Sequence, residues 1–218
     1  KNFTIECTGE PVSRDYSELT INIAKECGVT VRKNNNNITL NCDKFIVPKI
    51  VKIPQEISLF PISVLLSELH GVEFKISNLG ESDFLKSSIE MIRTIDKKVL
   101  NLRDCSDFIT PAAAILAIRK GGKIIGAKHA KGKESDRIEK TVELLKAFGM
   151  DCEIDEEKLL IKGNQLPKRP EKPIKTYLDH RIAMTAMALA TYSGGEIDNP
   201  EISEITDPTF IEKILDLG

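Results

Sequence analysis

The chain has 218 residues, 31 Lys and Arg against 33 Asp and Glu, and a formal net charge of −2. That length allows one or two domains with a sizeable core, and the balance of charge excludes a nucleic-acid binder working by bulk positive charge while leaving room for a local basic pocket. Five scattered cysteines without a C-x-x-C pair speak against zinc and a disulfide framework, and for a reducing, cytoplasmic setting.

No apolar run reaches the roughly 18 residues of a membrane span, and no signal peptide opens the chain. Glycine-rich phosphate loops and an H-E-x-x-H helix are missing, and His70, His129 and His180 lie far apart, with no metal-ligand spacing.

In chain order, VSRDYSELTINIAKECGVTVRKNNNNITL (12–40) reads as an amphipathic helix, a stop at Gly28, a strand, a polar turn over 34–37 and a second strand. EISLFPISVLLSELHGVEFKI (56–76) is an apolar helix stopped at Gly71, followed by strand character. SDFITPAAAILAIRKGGKIIG (106–126) matches it without gaps at an offset of 51, with Gly71 under Gly122. KESDRIEKTVELLKAFGMDCEIDEEKLLI (133–161) repeats the opening helix, stop, strand, turn and strand at an offset of 121. Its Ile138, Val142, Leu145 and Phe148 mark one buried stripe. DHRIAMTAMALATYSGGEIDN (179–199) repeats 106–126 at an offset of 73, again as polar cap, apolar helix, Gly-Gly and strand.

The period is β-α-β-α-β-β, anchored at Glu56, Asp107 and His180. It predicts an α/β (α+β) fold with a partial unit over 1–47 and a domain over 48–218. That domain has three units, about 49–103, 104–170 and 171–218, the last incomplete. The inner helices are apolar enough to be enclosed by sheets, which predicts an inside-out, barrel-like arrangement. Half-units at both ends leave open strand edges, so a piece of a larger architecture is expected.

Charge gathers at the helix starts. Asp179, His180 and Arg181 stand before the last apolar helix, and Asp107 before its repeat. His129, Lys131, Lys133, Glu134 and Arg137 precede or open the helix between them. Asp179 can be read as an N-cap with its neighbours facing water, and KGKESDR as a solvated cap. The alternative is a shared anion site. In a parallel repeat these helix starts converge, and cations at helix N-termini suit a substrate with several anionic groups. Asp107 and Glu134 would then be proton-transfer candidates. With no Ser–His or Cys–His pair in the cluster, a covalent intermediate is not indicated.

KESDRI (133–138) and DHRIAM (179–184), in this order and spacing, resemble the two C-terminal signatures of the 3-phosphoshikimate 1-carboxyvinyltransferase (EPSP synthase) family. A sister family making UDP-N-acetylglucosamine enolpyruvate shares the fold but lacks this pair. The resemblance runs from VSRDY to the C-terminus and corresponds to roughly the second half of a family member. It implies transfer of the enolpyruvyl group of phosphoenolpyruvate to the 5-hydroxyl of shikimate 3-phosphate, without metal or organic cofactor. It also implies three repeat units per domain and a missing N-terminal half as partner, and the isolated fragment is expected to be inactive.

Carried over residue by residue, Ser13 and Tyr16 would contact the shikimate phosphate, and Asp107 the reacting hydroxyl, as its base. His129 would touch the shikimate moiety. Lys133 would bind shikimate 3-phosphate and assist proton transfer. Glu134 would serve the methylene carbon as acid and then base. Arg137 and Arg181 would clamp phosphoenolpyruvate, with Asp179 and His180 in support. Two departures stand out. Pro208 in TDPTF occupies the place of a family Lys, and Gln55–Glu56 that of a Gly-Asp motif. Both favour a second reading, a noncatalytic binding or assembly domain on the same fold.

Overall fold

The computed structural model describes residues 2–34, 36–51, 59–73, 89–90, 92, 95 and 98–216. Residues 52–58 and 74–88, and with them Gln55–Glu56 and much of the first expected unit (49–103), lie outside the described residues. The chain forms two compact units, residues 1–54 and 55–218.

The first unit is β1 (Asn2–Glu6), α1 (Arg14–Glu26), β2 (Thr30–Asn34) and β3 (Asn37–Asn41), with sheet order β1-β3-β2, antiparallel throughout. Asn34 and Asn37 already pair across the ladder, so β2 and β3 reach further into the asparagine run than expected. Helix α1 buries only Ile21 along its length, and Cys27 is buried just past its end.

The second unit contains α2 (Leu59–His70), β4 (Val99–Asn101), α3 (Ile109–Ile118), β5 (Gly121–Ile125), α4 (Arg137–Ala147), β6 (Cys152–Asp155), β7 (Lys158–Lys162), α5 (His180–Ser193) and α6 (Phe210–Leu215). Residues 99–162 realise β-α-β-α-β-β once in full. The sheet order is β4-β5-β7-β6, with β4 and β5 parallel and the other pairs antiparallel.

The repeat holds residue by residue. Val31 faces Leu40 and Arg32 faces Thr39 in the first hairpin; Cys152 faces Ile161 and Glu153 faces Leu160 in the second. These pairs are related by the sequence offset of 121. The two Gly-Gly turns also match, with φ +72° and +153° at Gly121–Gly122, and +73° and +146° at Gly194–Gly195. A side chain at Gly121 would meet the Gly163 nitrogen and Ile161 oxygen at 2.5 Å, so the turn demands glycine.

Helices α2, α3 and α5 pack together in one apolar cluster to which the β4–β7 sheet contributes Leu100, Ile124, Leu159 and Ile161. Residues 109–117 of α3 and 182–189 of α5 are all buried. Alanines at 112–114, 183, 186 and 188 let the helix backbones approach, and Pro111 sits in the first turn of α3, where its missing N–H has no partner to lose. The expected mixed α/β class and buried helices are thus both seen. Around α5 the flanking strands shrink to a single parallel bridge, Ile174 with Ile197. Asp198 Oδ1 accepts from the Thr176 N–H at 2.6 Å there, so a side chain does what a longer ladder would do.

Candidate functional site

The site grows from the start of α4. Asp136 caps this helix, its carboxylate accepting from the Glu139 N–H at 3.2 Å, and Arg137 follows as the first helical residue, 1% exposed. Its guanidinium is shared among three carboxylates. Nε donates to Asp179 Oδ2 at 2.8 Å, Nη1 donates to Asp107 Oδ1 at 2.6 Å, and Nη2 donates to Glu134 Oε2. Burial alone would weaken the hold of Arg137 on its proton; the Asp179 hydrogen bond and the three nearby negative charges outweigh that and raise its pKa.

Asp179 is the N-cap of α5 and completely buried. Its Oδ1 accepts from the Arg181 N–H at 2.9 Å, and its Oδ2 accepts from both Arg137 Nε and Ser135 Oγ, the latter at 2.9 Å. One carboxylate thus satisfies the helix start and neutralises the arginine. The two residues before it, Tyr177 and Leu178, both have φ +54°, a left-handed conformation that costs ordinary side chains energy. Tyr177 is fixed by donating its hydroxyl proton to Glu143, while Lys140 Nζ lies 4.4 Å from its ring centre.

Asp107 stands just before α3, as expected, without capping it. The chain enters α3 through a 3-10 turn over Ser106–Phe108, and no side chain caps the helix. The Asp107 carboxylate turns instead to Arg137 and to Lys133 Nζ, 3.4 Å away. His129, in the turn before Lys133, has a lowered pKa: burial disfavours its charged form first, the Lys133 charge next, with Asp107 opposing. His180 is nine-tenths buried, and its Nδ1 lies 3.8 Å from Glu134 Oε1 without a hydrogen-bond partner. Burial, then Arg181 and Arg137, hold its pKa below the usual value against the pull of Glu134 and Asp179.

Asp107, Lys133, Glu134, Arg137, Asp179 and His180 are therefore one cluster, drawn from three segments of the chain. The charges of Lys133 and Asp107 reach His129, and the charge of Arg181 reaches His180. Ser13 and Tyr16 belong to the first unit. Ser135, a partner of Asp179, was missed by sequence reasoning; its position inside KESDR was the only signal available.

Pro208 is exposed at the entry to α6. Beside it, Asp207 accepts from the Thr209 N–H at 3.0 Å and from Lys213 Nζ at 2.6 Å. A surface groove of about 530 Å³ over β6 and β7, lined by Lys146, Asp151, Cys152, Glu153 and Lys162 among others, includes none of the cluster residues. Among the described residues no group of three or more His, Cys, Asp or Glu is arranged to hold a metal ion, and no helix is long and apolar enough to cross a membrane.

Comparison with known proteins gives a consistent answer. The family model for EPSP synthase (3-phosphoshikimate 1-carboxyvinyltransferase) matches residues 67–214. A 3-phosphoshikimate 1-carboxyvinyltransferase of Korarchaeum cryptofilum is 29% identical, across 100% of this chain and 56% of its own length. One of Sulfurisphaera tokodaii is 26% identical, across 94% of this chain and 55% of its own. Among solved structures, EPSP synthase from Acinetobacter baumannii superposes with a TM-score of 0.76 at 20% identity, covering 100% of this chain and 57% of that one. The enolpyruvyl transferase NikO from Streptomyces tendae gives 0.65 at 14%, covering 100% and 55%. The chain spans about half the length of the curated relatives it matches.

Proposed function

The chain belongs to the EPSP synthase family, and from that premise we propose that it is the C-terminal part of a 3-phosphoshikimate 1-carboxyvinyltransferase. In this reading it moves the enolpyruvyl group of phosphoenolpyruvate to the 5-hydroxyl of shikimate 3-phosphate, as a step of aromatic amino acid biosynthesis in the cytoplasm. Residues 1–47 would be the end of an N-terminal domain, and 48–218 a C-terminal domain of three units. The observation that carries the reading is the single cluster of Asp107, Lys133, Glu134, Arg137, Asp179 and His180.

The roles follow the chemistry. The hydroxyl oxygen adds to C2 of phosphoenolpyruvate while its C3 gains a proton; that C3 proton then leaves as the C–O bond to phosphate breaks. Asp107, on the Lys133 side of the cluster, takes the hydroxyl proton. Glu134, the most exposed carboxylate of the three, gives the proton to C3 and takes it back. Lys133 and Arg181 meet the anionic groups, Arg137 joins them once a carboxylate yields, and His129 lines the shikimate side. Ser13 and Tyr16 would hold the shikimate phosphate.

A partner segment is part of the reading. In the full unit, β5 has β7 on one side and β4 on the other, whereas among the described residues β1 pairs with β3 alone. The open edge of β1 suits a parallel strand from the missing N-terminal half, opposite Thr4–Glu6 as β4 lies opposite β5. Alone, the chain is expected to bind without turnover.

The test is a titration of shikimate 3-phosphate, then phosphoenolpyruvate, followed by NMR of the chain's amides. Shifts should centre on residues 107, 129, 133, 134, 137 and 180. Shifts confined elsewhere would favour the noncatalytic reading, to which Pro208 lends support.

A further inference from the structure

Arg137 is held unequally by its three carboxylates. The Asp179 side chain is 0% exposed and also holds the α5 start and Ser135, so it cannot leave without dismantling a helix cap. The Glu134 side chain is 44% exposed and is the carboxylate an arriving solute meets first. Its other oxygen, Oε1, faces the buried His180 Nδ1 at 3.8 Å, beyond hydrogen-bond reach, and that nitrogen has no partner. An unsatisfied buried polar atom is costly, so His180 stands ready for an acceptor that lies one small side-chain rotation away.

We propose that an anion binding at Arg137 displaces Glu134 from Nη2 and passes it to His180, making His180 a positioning residue that holds Glu134 beside the bound anion. The inference rests on the reading above, in which Arg137 meets an anionic substrate. A doubly charged anion outcompetes a partly solvated carboxylate for a guanidinium, and it repels that carboxylate at the same time. The imidazole offers the nearest relief, as the Nδ1–H donor to Glu134 Oε1. The exchange breaks one charged contact, forms another and fills the empty position on Nδ1. It delivers a carboxylate to the edge of the anion, where proton transfer to and from substrate carbon is required. The charged groups facing His180 are Glu134 and Arg137 from the start of α4, and Arg181 and Asp179 from its own helix start; of these only Glu134 changes place.

The experiment is a pH titration of the three histidine rings by NMR in the 218-residue chain, with His180 identified through His180→Gln. It is run without and with saturating inorganic sulfate, whose charge stays constant across the range. The expected result is a rise of about one pH unit in the His180 pKa when sulfate binds, as an ionised carboxylate comes into contact. Glu134→Gln should remove most of that rise while sulfate still shifts the Arg137 amide. A rise of equal size in Glu134→Gln means that the anion acts on the ring directly and overturns the exchange. So does an Arg137 amide that moves with sulfate while the His180 titration stays still. If sulfate moves neither residue, Arg137 is no anion site, and the substrate reading of Arg137 falls together with this inference.

Discussion

Two copies of one helix–hairpin, α1–β2–β3 and α4–β6–β7, differ in a way that separates what local sequence encodes from what neighbours supply. Their hairpins share one register, and the same four positions of each helix can be compared. In α4 these are Ile138, Val142, Leu145 and Phe148, all buried; in the first copy they are Ser17, Ile21, Ala24 and Cys27, of which only Ile21 and Cys27 are buried. The strand before each helix repeats the contrast. Ile124 of β5, flanked by β4 and β7, is 1% exposed, whereas Ile5 of β1, at the matching ladder position but with an open edge, is 47% exposed. Period and turn chemistry build the element; side-chain volume and a second neighbour bury it.

The second copy also carries what the first lacks, a buried cation tying its helix start to two other segments. Removing that cation is the harshest way to break the comparison. Arg137→Met leaves Asp107, Glu134 and Asp179 close together without their shared partner and should cost toward 5 kcal/mol in urea unfolding. A loss under about 1 kcal/mol would mean that the cluster does not hold the segments together. Phe148→Ala should cost about 3 kcal/mol or more, while the matching Cys27→Ala costs less than about 1 kcal/mol. Equal costs would deny that the copies differ in packing.

A smaller effect concerns pH. His129 and His180 have pKa values held below the ordinary 6.5, with burial the first cause in both. The unfolded chain therefore takes up protons first. Their contribution is complete above about 6.5 and is lost as pH falls from there toward the folded values. Denaturation at pH 7.5 and 5 should show this decline, and His180→Gln should reduce it. The smallest change is at the second hairpin's turn, where Glu156 has φ +55° and the first copy has asparagine. Glu156→Asn should stabilise the chain by about 0.5 kcal/mol, read as a shift in urea midpoint; destabilisation would show that the Glu156 side chain contributes more than the turn strain costs.

Much of this was legible in the sequence. The order of elements, the hairpin register, the α4 stripe and the Asp179 cap all follow from spacing and from local hydrogen-bonding chemistry. The Glu134–Arg137 pair is local too, three residues apart on one helical face. Its other partners, Asp107 and Asp179, lie 30 and 42 residues away, and no pattern shows that one guanidinium will collect all three. The left-handed pair Tyr177–Leu178 was hidden for the opposite reason. Neither residue favours that conformation, and no local spacing signals it just before the site. Asp107 stands before its helix as expected, but a 3-10 turn over Ser106–Phe108 leads into that helix, and its carboxylate reaches Arg137.

The central proposal is that this cluster takes part in enolpyruvyl transfer together with a preceding segment like that of the relatives. It is tested most directly by joining residues 1–218 to the preceding segment of a curated relative and measuring phosphate release from phosphoenolpyruvate. The account predicts release only when shikimate 3-phosphate is also present, none from the 218-residue chain alone, and a loss of about 100-fold or more in Glu134→Gln. Release at an unchanged rate in Glu134→Gln, or turnover by the 218-residue chain alone, would contradict it.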